Sequence, residues 1–273
     1  MGIDIRKKER KPMIKVLSLL LLIGCGTPEY SPWQSNPSKR DLTAKHLAWL
    51  NSKNITAPFK VALTGDPQAV VGHFNRVKDA INSRNDIDFA VVLGDITDRG
   101  LKREWDWIGD IVEEFDVPLL TVVGNHDGLN NAKDIYPAMF GPFNYTFNID
   151  GLEFVMWNNN RYEWGTPDFG WLANSVAGYK AVVMSHQPPD NDALTADDNY
   201  IWTNIRSQGN IRASVHGHVH HYSYKHETYD KGVEVDVYTV DRVTGTHYGV
   251  MSVDEQYNIT FENCSSTCVK VNK

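Results

Sequence analysis

The segment DFAVVLGDITDRG (residues 88–100) passes from an apolar run to a polar cluster without any transition. The run from Phe89 to Leu93 contains no polar residue and lacks the alternation that marks a half-exposed strand. It therefore predicts a strand that is buried on both faces. Gly94 and Asp95 follow at once, so the polar side chains begin where the strand ends.

Two neighbouring segments repeat this pattern. FKVALTGD (59–66) and VPLLTVVGN (117–125) each pass from an apolar run to glycine and a polar residue. Residues 70–84 and 101–115, which lie between the three runs, have the apolar spacing of helices. This order of strand and helix predicts βαβ units and an α/β fold. Functional groups in open α/β sheets gather beyond the carboxyl ends of the strands, which is where these polar clusters fall.

The second half of the chain is richer in strands. NYTFNI (144–149) and LEFVMW (152–157) are joined by Asp-Gly and predict a hairpin. Two further buried runs, at 180–185 and 212–217, lead into histidines. A helix over 41–53 is expected on the outside of the domain. Three later runs predict antiparallel strands: VEVDVYTV (233–240), HYGVMSVD (247–254) and YNITFENC (257–264).

The segment SVHGHVHH (214–221) holds four of the ten histidines in the chain. If a strand continues through it, His216, His218 and His220 point the same way because side chains alternate between faces. Three explanations compete: a metal site, a pH-sensitive surface, and an accidental grouping on an exposed strand. A metal site requires further ligands elsewhere in the chain.

Five polar clusters follow strand-like runs in a fixed order: GDPQ (65–68), GDITDRG (94–100), GNHD (124–127), SHQPP (185–189) and GHVH (217–220). This order resembles the motifs of the calcineurin-like metallophosphoesterase superfamily: Asp-x-His, Gly-Asp-x-x-Asp, Gly-Asn-His-Asp/Glu, His and Gly-His-x-His. Four of the five match fully, and together they span residues 65–220. The resemblance implies a four-layer α/β/β/α sandwich with two metal ions at strand ends.

The resemblance also implies a role for each matching residue, with Asp95 bridging the two ions. The first ion would be bound by Asp66, Gln68, Asp95 and His220, and the second by Asp95, Asn125, His186 and His218. A donor set rich in Asp and His without thiolates favours Mn, Fe or Zn. Two divalent ions about 3.5–4 Å apart can share a bridging hydroxide and bind phosphate oxygens. The implied activity is hydrolysis of a phosphate mono- or diester.

Three residues are implied to be catalytic. His126 would protonate the leaving-group oxygen or bind phosphate, oriented by Asp98. Arg99 would bind phosphate oxygens in a bidentate way, with a structural salt bridge as the alternative. The other histidines are expected to be structural, exposed or adjacent to the ligands: His46, His73, His216, His221, His226 and His247.

Gln68 is the departure from the family motifs, because the family usually has histidine there. Its amide oxygen is a weaker donor than imidazole, so we interpret it as tuning of the first ion site. The alternative is a non-catalytic lipoprotein that binds a metal or a phosphate ligand at a degenerate site. The presence of Asn125, His126 and Asp98 argues for the enzyme, because a binding protein does not need the acid pair.

The partner expected is a phosphoester substrate. The formal net charge of −7 gives no indication of a surface that binds nucleic acid. The aromatic and amide-rich segment WNNNRYEWGTPDFGW (157–171) has two possible roles. Arg161, Tyr162 and Trp164 would contact a base or sugar of the substrate, or the tryptophans would pack the loop onto the domain.

The N-terminus predicts export. Basic residues at 6–15 precede the short apolar run VLSLLLLIG, and Leu22-Ile23-Gly24-Cys25 resembles a bacterial lipobox. We therefore predict a signal peptide over 1–24, a tether over 25–40 and a metallophosphoesterase domain over 41–273. Lipid on Cys25 would anchor the protein in the bacterial cell envelope on the periplasmic side, with the outer membrane slightly favoured.

Cys264 and Cys268 lie four residues apart near the C-terminus. In an exported protein a disulfide that closes this turn is favoured over a metal-binding pair, because no further cysteine is left to complete a metal site.

Overall fold

The computed structural model describes residues 31 and 34–271. The helices in this part of the chain are α1 Leu42–Ser52, α2 Val71–Asn82, α3 Lys102–Glu113, α4 Ala132–Met139, α5 Arg161–Trp164, α6 Phe169–Val176 and α7 Ala196–Arg206. The strands are β1 Phe59–Thr64, β2 Phe89–Leu93, β3 Leu119–Val122, β4 Tyr145–Ile149, β5 Leu152–Met156, β6 Lys180–Met184, β7 Ile211–His216, β8 Ser223–Tyr229, β9 Val233–Thr239, β10 Tyr248–Val253, β11 Ile259–Cys264 and β12 Cys268–Lys270. The predicted signal peptide and Cys25 lie outside the described residues.

The first sheet has the strand order β12-β11-β10-β1-β2-β3. Strands β1, β2 and β3 are parallel, with Val61 opposite Phe89 and Ala90 opposite Leu119. Helices α2 and α3 make the two connections between them, so the predicted βαβ units are confirmed. Strands β10, β11 and β12 extend this sheet in antiparallel fashion.

The second sheet has the order β4-β5-β6-β7-β9-β8. The hairpin of β4 and β5 is confirmed, with Ile149 opposite Leu152. Its two turn residues, Asp150 and Gly151, both have positive φ, which is the conformation that a type I′ hairpin turn requires. Strands β5, β6, β7 and β9 are parallel to one another.

One part of the predicted strand pattern was wrong. The run VEVDVYTV forms β9, which is parallel to β7 rather than antiparallel to the runs that follow it. It pairs in antiparallel fashion with β8, SYKHETY (223–229), a strand that was not predicted. Strand β8 lies at the sheet edge and consists of polar and charged residues, so it lacks the apolar pattern that marked the others.

Strand β2 is buried at every residue because both of its faces are covered. Ala90 and Val92 face a cluster shared with the outer helices, whereas Phe89, Val91 and Leu93 face the second sheet. The apolar run therefore lacks alternation because both faces of the strand are buried, as predicted.

Three buried clusters separate four layers. One lies between α2, α3 and α4 and the first sheet and contains Phe74 and Trp105. A second fills the space between the sheets, where Phe154 packs edge-to-face on Phe89. The third joins the second sheet to α6 and α7 and contains Trp202. The four-layer α/β/β/α sandwich is confirmed.

The last residues of the predicted tether contact the domain. The backbone N–H of Ser38 donates to Asp106, and Lys39 is ion-paired with Glu113, both on α3. Pro37 is buried. Residues 37–39 are therefore held by α3 and do not extend the reach of a tether.

Cys264 and Cys268 are joined by a disulfide between β11 and β12, as expected. Across residues 34–271, no helix combines the length and the apolar character needed to cross a membrane.

Candidate metal centre

The predicted ligands come from loops that follow five strands, at one edge of both sheets. The loops after β1, β2 and β3 in the first sheet supply Asp66, Gln68, Asp95 and Asn125. The loops after β6 and β7 in the second sheet supply His186, His218 and His220. The structure brings all seven together in two groups that share Asp95.

The first group consists of Asp66, Asp95 and His220, whose candidate ligand atoms all lie within 4.8 Å of one another. Nε2 of His220 is 3.8 Å from Oδ1 of Asp66. Gln68 joins this group, because its Nε2 is 3.4 Å from Nε2 of His220. Its Oε1 is buried without a hydrogen-bond partner among the described residues. A half-turn of the amide exchanges the two atoms and directs the oxygen toward His220.

The second group is tighter. Oδ1 of Asn125 lies 3.0 Å from Nε2 of His186 and 3.1 Å from Nδ1 of His218. The two imidazole nitrogens are 3.2 Å apart, and Nε2 of His186 is 3.3 Å from Oδ1 of Asp95. Four candidate ligand atoms from four different loops therefore lie close together.

This arrangement fits a divalent cation. Nδ1 of His186 lies 2.8 Å from the carbonyl of Leu93, which can only accept, so Nδ1 carries a proton and Nε2 is the nitrogen that would face a cation. A cation at this position would take the place of the proton on that nitrogen, and the nearby oxygen and nitrogen lone pairs would bind it. Ligands about 2.1 Å from one ion stand roughly 3.0–3.4 Å from each other, which matches the second group.

The electrostatics of the centre agree with a cation site. Burial disfavours charge on Asp66 and raises its pKa to about 7, although His186 opposes this. Burial also works against a charged His186, but the carboxylates of Asp95 and Asp66 outweigh it and raise the pKa of the imidazole to about 9. Two carboxylates that are nearly inaccessible to water favour a nearby positive charge.

The backbone at four of these ligands is in the left-handed region. Asp66, Asp95, His218 and His220 have φ of 52°, 49°, 72° and 60°. Each such residue costs on the order of 1–3 kcal/mol unless its surroundings favour it. The backbone N–H of His218 donates to both carboxylate oxygens of Asp66, and this is one contact that favours the left-handed backbone there. Strain of this kind clusters at functional sites.

The premise that the histidine cluster lies on a strand was wrong in part. Strand β7 ends at His216, and His218 and His220 lie in the loop beyond it. His216 is buried, and its two ring nitrogens contact the hydroxyls of Ser185 and Ser214. Burial and the charge of Arg206 lower the pKa of His216 to about 3. The ring is therefore neutral and structural, with both nitrogens engaged.

The other histidines lie outside the two groups. His221 is exposed next to them in sequence. His46 is buried and accepts from the backbone N–H of Leu119, and His73 accepts from that of Gly245. His226 contacts Asp236 at 2.8 Å, and the side chain of His247 is half-buried.

His126 lies at the rim of the centre. Its backbone N–H donates to Oδ1 of Asp95 at 2.9 Å, and its Nδ1 donates to the backbone carbonyl of Asp98 at 2.8 Å. The carboxylate of Asp98 is farther away, at 3.7 Å. Asp98 thus orients the ring mainly through its main chain. Nε2 has no partner among the described residues, so it is available for proton transfer.

The side chain of Arg99 extends into solvent and is not held in place as a bidentate phosphate ligand would be. Its side chain is 72% exposed, and its Nε lies 3.4 Å from the carboxylate of Asp98. Its backbone N–H donates to Glu104, and its carbonyl accepts from Asn130. The loop is therefore fixed while the guanidinium extends into solvent beside Asp98.

Two residues near the centre were missed by sequence reasoning. Asp127 is fully buried, and its carboxylate accepts from the backbone N–H groups of Ile96, Thr97 and Gly124 at 2.8–3.1 Å. It ties together the loops that carry Asp95 and Asn125. Its position as the last residue of GNHD was the available signal.

Arg242 is the second missed residue. It follows β9, and its Nη2 donates to the carbonyl of Gln68 at 2.8 Å. Its charge acts on both Asp66 and His220. No motif in the sequence marks it, because only the fold brings residue 242 next to residue 68.

Gly124 is required by close packing. A Cβ at this position would overlap the backbone nitrogen and Oδ1 of Asp95. Gly94 has φ of +86°, and a Cβ there would overlap the ring of His186. These glycines permit the loops after β2, β3 and β6 to approach one another.

The aromatic segment 157–171 packs onto the domain at most of its positions. Arg161 forms a two-pronged ion pair with Asp198. Trp164 donates to the carbonyl of Gly124 and packs on Phe143. Tyr162 differs, because 67% of it is exposed. Arg161 and Trp164 therefore hold the loop.

Comparisons with known proteins give a family match and a distant relative. The model of the family described as calcineurin-like phosphoesterase matches residues 59–222. A relative from Fibrobacter succinogenes, named as a probable cyclic nucleotide phosphodiesterase, is 23% identical over 113 residues. That match covers 39% of this chain and 44% of the relative, so the chain spans less than half of the relative's length.

Solved structures share the fold at low sequence identity. A purple acid phosphatase from yellow lupin (Lupinus luteus) has a TM-score of 0.64 at 14% identity, over 78% of this chain and 52% of that one. A dimetal phosphatase from Danio rerio has a TM-score of 0.58 at 14% identity, over 78% and 99%. GAP50, named as the anchor in the inner membrane complex of Plasmodium, has a TM-score of 0.58 at 14% identity, over 78% and 88%.

Proposed function

Because this chain belongs to the calcineurin-like phosphoesterase family, we propose that it is a metal-dependent hydrolase of phosphate mono- or diesters. The observation that carries this proposal is the pair of donor groups that share Asp95, with His126 fixed at their rim. A protein that only binds a metal has no need for an oriented imidazole with a free nitrogen beside it.

Two bound divalent ions would activate water and offset the charge of the phosphate. Asp66, Gln68, Asp95 and His220 would hold one of them, and Asp95, Asn125, His186 and His218 the other. The remaining work falls to the residues of the chain. His126 donates Nδ1–H to the Asp98 carbonyl, which leaves Nε2 free; in the imidazolium form, Nε2–H would give its proton to the leaving oxygen. Arg99, whose exposed guanidinium lies beside Asp98, would bind outer oxygens of the ester.

The choice between monoesters and diesters is tested with purified residues 26–273 loaded with Mn²⁺. We would compare turnover of p-nitrophenyl phosphate with that of bis-p-nitrophenyl phosphate. Faster cleavage of the diester would favour a phosphodiesterase, in line with the name of the Fibrobacter relative. Faster cleavage of the monoester would favour a phosphatase. Cleavage of neither ester by protein that holds two ions would contradict the proposal for these substrate classes.

A non-catalytic binding lipoprotein is the second candidate. It is favoured by Gln68, which replaces the histidine usual in the family. This candidate predicts tight metal or phosphate binding with no turnover that depends on His126.

Gln68→His should tighten binding of the first ion by about tenfold, the low end of what changes around a metal site produce. Imidazole is a stronger donor than an amide oxygen, and Gln68 Nε2 is already 3.4 Å from Nε2 of His220. Equilibrium dialysis with Mn²⁺ measures the change. Gln68→Ala is the matched comparison and should weaken the same ion. Wild-type affinity in both variants would show that Gln68 does not ligate.

We also propose that the protein is anchored through lipid on Cys25 in a bacterial cell envelope. The lipobox-like LIGC sequence supports this, as does the disulfide of Cys264 and Cys268, which suits an oxidising compartment. Mass spectrometry of the N-terminal peptide would detect a diacylglyceryl cysteine at residue 25. Cys25→Ser should release the protein from membranes, and an unmodified, soluble wild type would contradict the proposal.

A further inference from the structure

The ligands of the second group lie in loops that follow strands of two different sheets. Asp95 and Asn125 follow strands of the first sheet, whereas His186 and His218 follow strands of the second. Backbone hydrogen bonds fix distances within each sheet, but the two sheets meet through side chains. The 3.0 Å separation of Asn125 and His186 therefore depends on contacts outside the ladders.

Among the contacts in the centre that cross between the sheets, two are hydrogen bonds that involve a backbone group and a predicted ligand. Nδ1 of His186 donates to the carbonyl of Leu93, and the N–H of His218 donates to Asp66. Both involve predicted ligands themselves, and neither holds the loop that carries Asn125.

Asn159 holds the loop of His186. Its side chain is fully buried, and its Nδ2 donates to the carbonyl of Gln187 at 2.7 Å. Its Oδ1 accepts from the N–H of the same Gln187 at 3.1 Å. Both ends of one amide thus bind the backbone of the residue that follows His186.

Asn160 holds the loop of Asn125. It is also fully buried, and its Nδ2 donates to the carbonyl of Val123 at 2.8 Å. Trp164, four residues later, donates to the carbonyl of Gly124 at 2.9 Å. The two carbonyls immediately before Asn125 are therefore both bound by this segment.

We propose that Asn159 and Asn160 are positioning residues that set the separation of Asn125 and His186 and so complete the second ion site. They are neighbours in the chain, with Cα atoms about 3.8 Å apart, so a single peptide unit connects the two ligand loops. This inference rests on the proposed function, since it assumes that the centre binds two ions.

The test is Asn160→Asp and Asn159→Asp in the full-length protein. Aspartate has nearly the same shape but replaces the donating Nδ2 with an oxygen that repels the carbonyl of Val123 or Gln187. Binding of the second ion should weaken by about 10–100-fold, as for partners that orient metal ligands elsewhere. Binding of the first ion should change little.

The readouts are the stoichiometry of Mn²⁺ in equilibrium dialysis and the electron paramagnetic resonance spectrum. Two Mn²⁺ ions about 3.5–4 Å apart are spin-coupled. In the Asn variants at limiting Mn²⁺, the spectrum of an isolated ion should replace the coupled spectrum. Neither readout requires turnover.

The control for general loss of stability is Val253→Ala. Val253 is buried at the end of β10, opposite Phe59 at the start of β1, and so lies at the far end of the sheet from the centre. This variant should melt at a lower temperature yet bind two coupled ions as wild type does.

Selective loss of the second ion in both Asn variants supports the inference. Wild-type stoichiometry and a coupled spectrum in both Asn variants would overturn the inference. It would also be overturned if the variants lost both ions together with a fall in melting temperature, because a purely structural role predicts that result. A wild type that binds only one ion would overturn it too. A wild type with two coupled ions and no turnover would contradict the proposed function but leave this inference standing.

Discussion

Asp95→Asn is expected to abolish coupled binding of two divalent ions and to lower kcat/KM by more than about 100-fold, the upper end of what loss of an orienting partner costs. Asp95 belongs to both donor groups, so one substitution weakens both sites. It also accepts the backbone N–H of His126, which links the ions to the proposed acid. Asparagine keeps the shape of the side chain but removes its charge. That charge interacts strongly with cations because the residue is almost completely buried.

Metal content after dialysis and kcat/KM with both nitrophenyl esters measure this effect. The matched control is Asp254→Asn in the turn between β10 and β11, where the carboxylate accepts from the N–H groups of Gln256 and Asn258. That variant should retain both ions and full turnover. Full metal content in Asp95→Asn would show that Asp95 does not bridge the two groups.

His126→Ala is expected to keep both ions and to lower kcat by about 10²–10⁴-fold, the usual contribution of a general acid. The imidazole is oriented by its bond to the Asp98 carbonyl but lies outside both donor groups. The loss should be greater for esters with poor leaving groups, because these depend more on protonation. Replacing nitrophenyl esters with alkyl esters tests this.

His247→Ala is the control, since His247 is half-buried and outside both donor groups. It should leave turnover unchanged with every ester. An equal loss in His126→Ala for good and poor leaving groups would point to phosphate binding rather than proton transfer. Loss of metal in that variant would place His126 among the ligands and contradict its role as an acid.

The errors in the sequence reasoning have a common cause. His216 was grouped with His218 and His220 on strand spacing, but β7 ends at His216 and the chain then turns through two residues of positive φ. Strand β8 was missed because it is an edge strand with no fully buried residue and no apolar pattern. Local patterns report burial and spacing along the chain. They do not report where a strand stops pairing or whether an edge strand adds to a sheet.

The sequence by itself determined the α/β class, the buried strands of the first sheet, and the seven candidate ligands. The ligands could be recognised because they lie in motifs that follow strand-like runs. Only the tertiary structure decided how these parts meet. It assigned β9 to the second sheet, placed Arg242 beside Gln68, and brought Asn159 and Asn160 between the loops of His186 and Asn125. The physical reason is that motifs mark side chains by their chemistry. The distance between two loops on separate sheets depends on packing and hydrogen bonds among residues far apart in the chain.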